Sequence, residues 1–339
     1  MKLNFEHRIA AHCENGVTAA LLRTHGYEYS EPLIFGLSGS LFFVNLPFIK
    51  LAGFPVISFR PIPGVIFSRV MRILGFKIRK TIFLSKKNAE KKLDSLLEKG
   101  IPTGVVVGMY HLPYMPLAYR FHFNAHNLCV LGKEEEFYIV SDPVATEIVN
   151  LSRKDMLRAR FAKGTWPPFG KLYWITSAPA QKPDLNLLVR KAIRKNCFRM
   201  LHLPGPMPWI GVNAFRYMAK NIPRFPEKYG PRKAALYLAQ IVRMMEEIGT
   251  GGAGFRFLYA AFLQEAAVIT GLDELNVFSD RMTAIGDLWR EFATEAARIY
   301  KNRSAENVNY SSIGKFLGEI GEKETQFFKD LEKVVSVPL

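Results

Sequence analysis

The spacing of apolar and polar positions changes character along this chain. Asn15–Thr24 carries its apolar residues at helical spacing, and His25-Gly26 supplies a stop. Val65–Leu74 and Lys86–Lys99 repeat that period, with Ser85 as an N-cap and Gly100 as a C-terminal stop for the second. Three β-rich runs follow: PTGVVVGM, HNLCVLG and EFYIVSD. Only Lys133-Glu134-Glu135 separates the last two, which predicts an antiparallel hairpin. KLYWITS, Lys171 to Ser177, predicts one more strand, while LIFGL, LFFV and PVISF read as short buried segments, strand or turn.

Beyond Ser177 the period becomes helical. APAQKPD reads as a linker, after which Leu185, Leu188, Val189 and Ala192 share one face and Arg190, Lys191, Arg194 and Lys195 lie off it. Further helices are predicted near 210–221, 231–248, 255–270, 274–301 and 311–335. The expected architecture is an α+β domain with an antiparallel sheet over residues 1–180, then an all-α domain over 181–339 for substrate or partner binding. A helical second domain also offers a face for a homo-oligomer.

Composition narrows the class. Of 339 residues, 49% are hydrophobic and 22% charged, which excludes a disordered chain. Three cysteines at unrelated spacings fit neither a disulfide framework nor a zinc pattern, so a reducing cytoplasm is expected. MKLNFEHRIAAHCENG lacks the apolar core of a signal peptide and is expected to belong to the folded domain. Pro32–Phe59 carries Lys50 as its one charge, yet Gly36, Gly39, Pro47, Gly53 and Pro55 break it, so buried strands and turns are expected rather than a membrane span.

The net charge of +16 is concentrated. Leu151–Lys233 holds eighteen Lys and Arg against three acids, Asp155, Asp184 and Glu227. A local excess of that size fits an acidic partner (nucleic acid, anionic lipid or an acidic carrier protein) or a solvated face. No RNA-binding motif or zinc finger lies within it, so nucleic acid is not the expected partner. GTGGAGFR, Gly249 to Arg256, lacks the Gly-Lys-Ser/Thr ending of a phosphate loop and follows a helix, so it reads as a helix break with close backbone packing. Arg256 beside it is a candidate substrate contact.

Cys13 carries the candidate chemistry. At the start of a helix its sulfur would sit where the dipole favours a thiolate; the competing reading is a small buried core residue. A nucleophile needs a base, and the base an orienter. His126 begins one strand of the expected hairpin and Asp142 ends the other, so the two lie at the same end, with Asp142 able to fix the His126 tautomer. Glu14 and His122, close in sequence to Cys13 and His126, are further oxyanion or substrate-binding candidates. His122 and His126 are spaced i, i+4, but in a segment that does not read as helical, so neither metal nor resident cofactor is expected.

HCENGVTAALLRTHG, SEPLIFGLSGSLFFVNLPF, HLPYMPL and HFNAHNLCVLG…YIVSDP resemble, in order over about residues 5–180, the family of butirosin biosynthesis protein H. IGTGGAGFRFLYAAFLQEAA resembles the helical domain that often follows. The resemblance implies a papain-like fold and an acyltransferase that moves an acyl or aminoacyl group from an acyl carrier protein thioester to an amine. Cys13 would attack the thioester, His126 would move protons and Asp142 would orient His126; the phosphopantetheine arm would enter as part of the donor. A peptidase, amidase or thioesterase on the same scaffold would use the same three residues. His7 stands six residues before Cys13, where papain-like enzymes commonly carry a glutamine that donates to the oxyanion, so His7 is the expected donor here.

Overall fold

The computed structural model describes residues 5–51, 53–203, 207–305 and 307–336. Met1–Asn4, the head of the stretch expected to join the folded domain, lie outside them. The chain forms two compact units, one made of Met1–Ile34 and Pro63–Pro183, the other of Phe35–Ile62 and Asp184–Leu339. A division near residue 180 is therefore present, but Phe35–Ile62 belongs with the helical unit and not with the α+β unit. The reason is aromatic. Phe35 stacks on Phe255 at 4.9 Å between ring centroids, Phe43 lies 4.5 Å from Phe215, and Phe59 meets Trp289 edge-on at 5.7 Å.

In chain order, α1 is Cys13–Arg23, α2 is Glu31–Leu37, and β1 (Val44–Leu51) pairs with β2 (Phe54–Ser58). LIFGL thus lies in α2, where a strand or turn was expected. Gly36 lets α2 pack closely: a Cβ there would come within 2.1 Å of the Phe262 ring. The first unit continues with α3 (Val65–Ile73), β3 (Lys77–Thr81), α4 (Lys86–Leu97), β4 (Thr103–Val107), β5 (His126–Glu134), β6 (Phe137–Ser141), β7 (Val149–Ser152), α5 (Arg153–Arg160) and β8 (Leu172–Ser177).

Six of these strands form one antiparallel sheet in the order β3-β8-β4-β5-β6-β7. Leu93 and Leu97 of α4 and Met156 of α5 pack with Val105, Val107, Leu128 and Val130 of the sheet. Each such fully buried side chain contributes about 1.5–3 kcal/mol. β5 is buried along its first seven residues because α1 covers its other side, which is why HNLCVLG reads as a continuous apolar run and not an alternation. The β5–β6 hairpin closes through Glu135 in a left-handed conformation, with Cys129 opposite Ser141. Asp142 therefore follows directly on β6, two residues along the sheet from the level of His126.

The second unit is helical apart from the β1–β2 hairpin: α6 (Leu185–Leu201), α7 (Val212–Asn221), α8 (Phe225–Tyr229), α9 (Pro231–Val242), α10 (Arg256–Thr270), α11 (Glu274–Tyr300) and α12 (Tyr310–Ser336). A π turn at Arg243–Glu247 and a run of positive-φ residues from Gly251 to Phe255 separate α9 from α10. Gly254 is required there, since a Cβ would meet the Phe59 ring at 2.2 Å. No helix among the described residues is long and apolar enough to cross a membrane.

Arg256 does not face a substrate. Its guanidinium and the Glu324 carboxylate are both wholly buried and pair at 2.6 and 3.3 Å. Arg256 also donates to Gly254 O, Trp289 Nε1 donates to Glu324, and the guanidinium lies against the rings of Phe59 and Trp289. The pair is thus hydrogen-bonded and packed within the core. Glu324→Ala leaves a buried cation without its counter-charge, so the second unit is expected to lose about 3–5 kcal/mol, read as a lower urea midpoint by tryptophan fluorescence. Glu324→Gln keeps an acceptor for Trp289 and is expected to lose less.

Candidate active site

The first helical residue of α1 is Cys13, a buried residue with 8% of its surface exposed. His12 is the N-cap; its Nδ1 accepts from the Asn15 N–H. The approach to the cysteine is held by Glu31, whose two carboxylate oxygens accept from the backbone N–H groups of Ala11 and His12 at 2.8 and 2.7 Å. Burial raises the Glu31 pKa, and these bonds oppose the rise. Two further contacts bring α1 to the end of β6. Ala10 N donates to Pro143 O at 2.8 Å, and Gly16 lies so close to Pro143 that a Cβ would stand 2.6 Å from its ring.

His126 and Asp142 meet as the hairpin predicts. His126 Nε2 donates to Asp142 Oδ2 at 2.8 Å, with both side chains out of solvent. Cys13 is the other side-chain hydrogen-bond partner of His126, and with Nε2 taken that leaves Nδ1 for the sulfur. Burial alone would drive His126 toward the neutral form. The Asp142 carboxylate and Cys13 outweigh it and hold the imidazolium up to a pKa of about 10. Asp142 is likewise opposed by burial, but His126, the Tyr114 hydroxyl (2.7 Å) and the Val144 N–H (3.1 Å) keep its pKa below the usual value.

Other residues singled out from the sequence lie elsewhere. His7 is occupied: its Nε2 donates to Ala145 O at 3.0 Å and its Nδ1 pairs with the Ser141 hydroxyl at 2.8 Å. It therefore braces the turn that carries Asp142 and has no ring nitrogen left for an oxyanion. Glu14 is fully buried and accepts from the N–H groups of Gly64 and Phe67 at 2.9 and 3.2 Å. It caps α3, whose own N-cap, Gly64, has no side chain to do so. His122 is exposed and stacks on Tyr110 at 4.3 Å, outside the Cys13–His126–Asp142 group. Among the described residues no three His, Cys, Asp or Glu side chains converge as a metal site requires.

Three side chains at the site were not foreseen. Tyr114, within HLPYMPL, donates to Asp142. Asn127 points its amide nitrogen at the Cys13 sulfur, 3.8 Å away, and Tyr173 donates to the Asn127 oxygen at 2.8 Å. Strand alternation sets Asn127 on the opposite side of β5 from Leu128, toward α1, which is the one signal in the sequence that points to it.

Residues 12–143, which contain Cys13, His126 and Asp142, match the family described as Butirosin biosynthesis protein H, N-terminal. That likeness is confined to the N-terminal part of the chain. Residues 154–331, more than half of the chain, match Domain of unknown function (DUF4872). The chain belongs to that family. The match runs from α5 through most of α12. No curated protein matches the chain. A crystal structure from Bacillus anthracis, provisionally assigned as a C39-like peptidase, is similar over 52% of this chain and 98% of that one, at 14% identity and a TM-score of 0.37. That likeness is too loose to argue from.

The linkage has a definite sign. The raised His126 pKa contributes stability that is complete below pH 6.5 and is lost as pH rises through about 10. The depressed Asp142 contributes stability present above its ordinary value of 3.8 and lost as pH falls through its lower folded value. Imidazole NMR is therefore expected to find His126 charged throughout the neutral range. In Asp142→Asn the negative charge that does most to hold the imidazolium up is gone, and His126 is expected to titrate at lower pH.

Proposed function

We propose that this chain is a cysteine acyltransferase that carries an acyl or aminoacyl group on Cys13, taking it from a carrier-protein thioester and passing it to an amine. The observation that supports this most is the His126 imidazole held between the Asp142 carboxylate and the Cys13 sulfur, with its pKa raised by both. That arrangement suits a thiolate–imidazolium pair at neutral pH.

In the first half-reaction the Cys13 thiolate attacks the thioester carbonyl carbon. The bond from that carbon to the carrier sulfur then breaks, and the His126 imidazolium gives its proton to the departing thiolate. In the second, the acceptor amine attacks the acyl-Cys13 carbonyl and neutral His126 takes the proton from nitrogen. Collapse releases the amide and restores the ion pair. Asp142 holds one tautomer through both halves. Burial around Cys13 excludes bulk water, which favours an amine over hydrolysis. The phosphopantetheine arm belongs to the donor, and the chemistry calls for no resident cofactor. Exposed Lys191, Lys195, Lys228 and Lys233 in the second unit support an acidic protein as the donor.

The test is to mix the protein with an acyl-loaded carrier protein, with and without a panel of amines, and follow intact mass and small products. An acyl adduct on the wild-type chain that is absent from Cys13→Ala, and an amide that forms only with amine, are expected. His126→Ala is expected to slow the first step by at least about 10²-fold. Free acid formed equally with and without amine would replace transfer with hydrolysis, and no adduct with any thioester would overturn the reading.

A further inference from the structure

Beneath Cys13 lies a second hydrogen-bonded chain that does not involve His126 or Asp142. Asn127 is 2% exposed and sits on β5 under the start of α1. One N–H of its amide donates to Ala125 O at 3.1 Å; the other is directed at the Cys13 sulfur at 3.8 Å. Its oxygen accepts from the Tyr173 hydroxyl at 2.8 Å. The carbonyl of Ala125 can only accept, so the amide nitrogen must face it, and a flipped amide would set oxygen against oxygen. The orientation of Asn127 is therefore determined: it presents a donor, not an acceptor, to the sulfur.

Tyr173 is held for this purpose by the sheet itself. It stands opposite Gly104, and a Cβ at Gly104 would lie 2.2 Å from the tyrosine ring. Only glycine leaves room for the ring to lie across β4 toward Asn127. The Phe67 ring packs on its other side at 4.5 Å. Burial strongly disfavours the phenolate, so the hydroxyl keeps its proton and donates it to Asn127.

We propose that Asn127, oriented by Tyr173, donates a hydrogen bond to the Cys13 thiolate and sets how readily that thiol ionises, as a second determinant beside His126. A donor aimed at a sulfur stabilises its charged form more than its neutral form. This builds on Cys13 being the nucleophile, but it concerns the free protein before any acyl donor binds. Asn127 thus acts on the reacting atom, and Tyr173 acts through Asn127 as a positioning residue.

The test is the pH profile of Cys13 alkylation by iodoacetamide on the full chain, followed by peptide mass. Cys129 is fully buried and its thiol is pushed up to about 12, and burial also raises Cys197, so the signal is expected at Cys13. Wild type is expected to label with a midpoint well below the ordinary thiol value of about 8.5. Asn127→Leu, similar in size and without a donor, is expected to raise the midpoint by about one pH unit, a roughly tenfold slower reaction at pH values below it. Tyr173→Phe keeps the ring and the packing and is expected to shift the midpoint the same way by less, which protects the test should Asn127→Leu fold poorly. A low wild-type midpoint that moves in His126→Ala but in neither Asn127→Leu nor Tyr173→Phe would overturn the role of Asn127 alone. An ordinary wild-type midpoint would overturn it together with the nucleophile reading beneath it.

Discussion

A carboxylate sealed from water must be matched by charge and by hydrogen bonds, and Asp142 is such a group. Its partners come from three segments: His126 from the first position of β5, Tyr114 from the connection before it, and Val144 from the turn after. Satisfying one buried anion therefore fixes three backbone ends at once. The neighbouring turn then draws in the N-terminal segment, because His7 bridges Ser141 and Ala145 and Ala10 bonds to Pro143. The arrival of Cys13 beside His126 is thus a consequence of how the Asp142 turn is satisfied.

The second unit meets the same requirement differently. Arg256 and Glu324 neutralise each other, and Gly254, Trp289 and the surrounding rings use up what remains. Both sites hold a buried ion pair, so burial and charge alone do not mark chemistry. What distinguishes the first is a thiol beside the imidazole, with the Asn127 amide directed at its sulfur. The Arg256 pair has no such neighbour and serves the packing of α10 against α12.

β4, β5, β6, β8 and the longer helices were legible from periodicity, because each buries one face or both against a neighbour in its own unit; β3 and β7 and the short helices α2, α5 and α8 were not, being too short to show a period. The meeting of His126 with Asp142 was legible because a hairpin brings its two ends together by necessity. His7, Glu14 and Arg256 misled for a shared reason: sequence shows a polar group near a site but not which backbone N–H or carbonyl claims it. Glu14 adjoins Cys13 in the chain, yet its carboxylate is used by α3, some fifty residues on. The placement of Phe35–Ile62 escaped because an aromatic-rich run shows that it must be buried, not against what.

The basic stretch from Leu151 to Lys233 illustrates the limit of counting charge. Arg160 lies wholly inside the first unit, donating to the carbonyls of Ala89 and Gly170, and burial lowers its pKa to about 10. Arg190 and Arg199 donate to the carbonyls of Thr270 and Gly39. Guanidinium has several donors in a flat, weakly hydrated group, so it is well suited to closing helix ends and loops from within. Ammonium is more strongly hydrated and stays outside: every lysine of the stretch except Lys171 is exposed. The excess is therefore two populations: Arg160, Arg190 and Arg199 are used as internal ligands, while the exposed lysines and Arg153, Arg158, Arg194, Arg216, Arg224 and Arg232 lie at the surface, so the charge presented to solvent is smaller than the formal count.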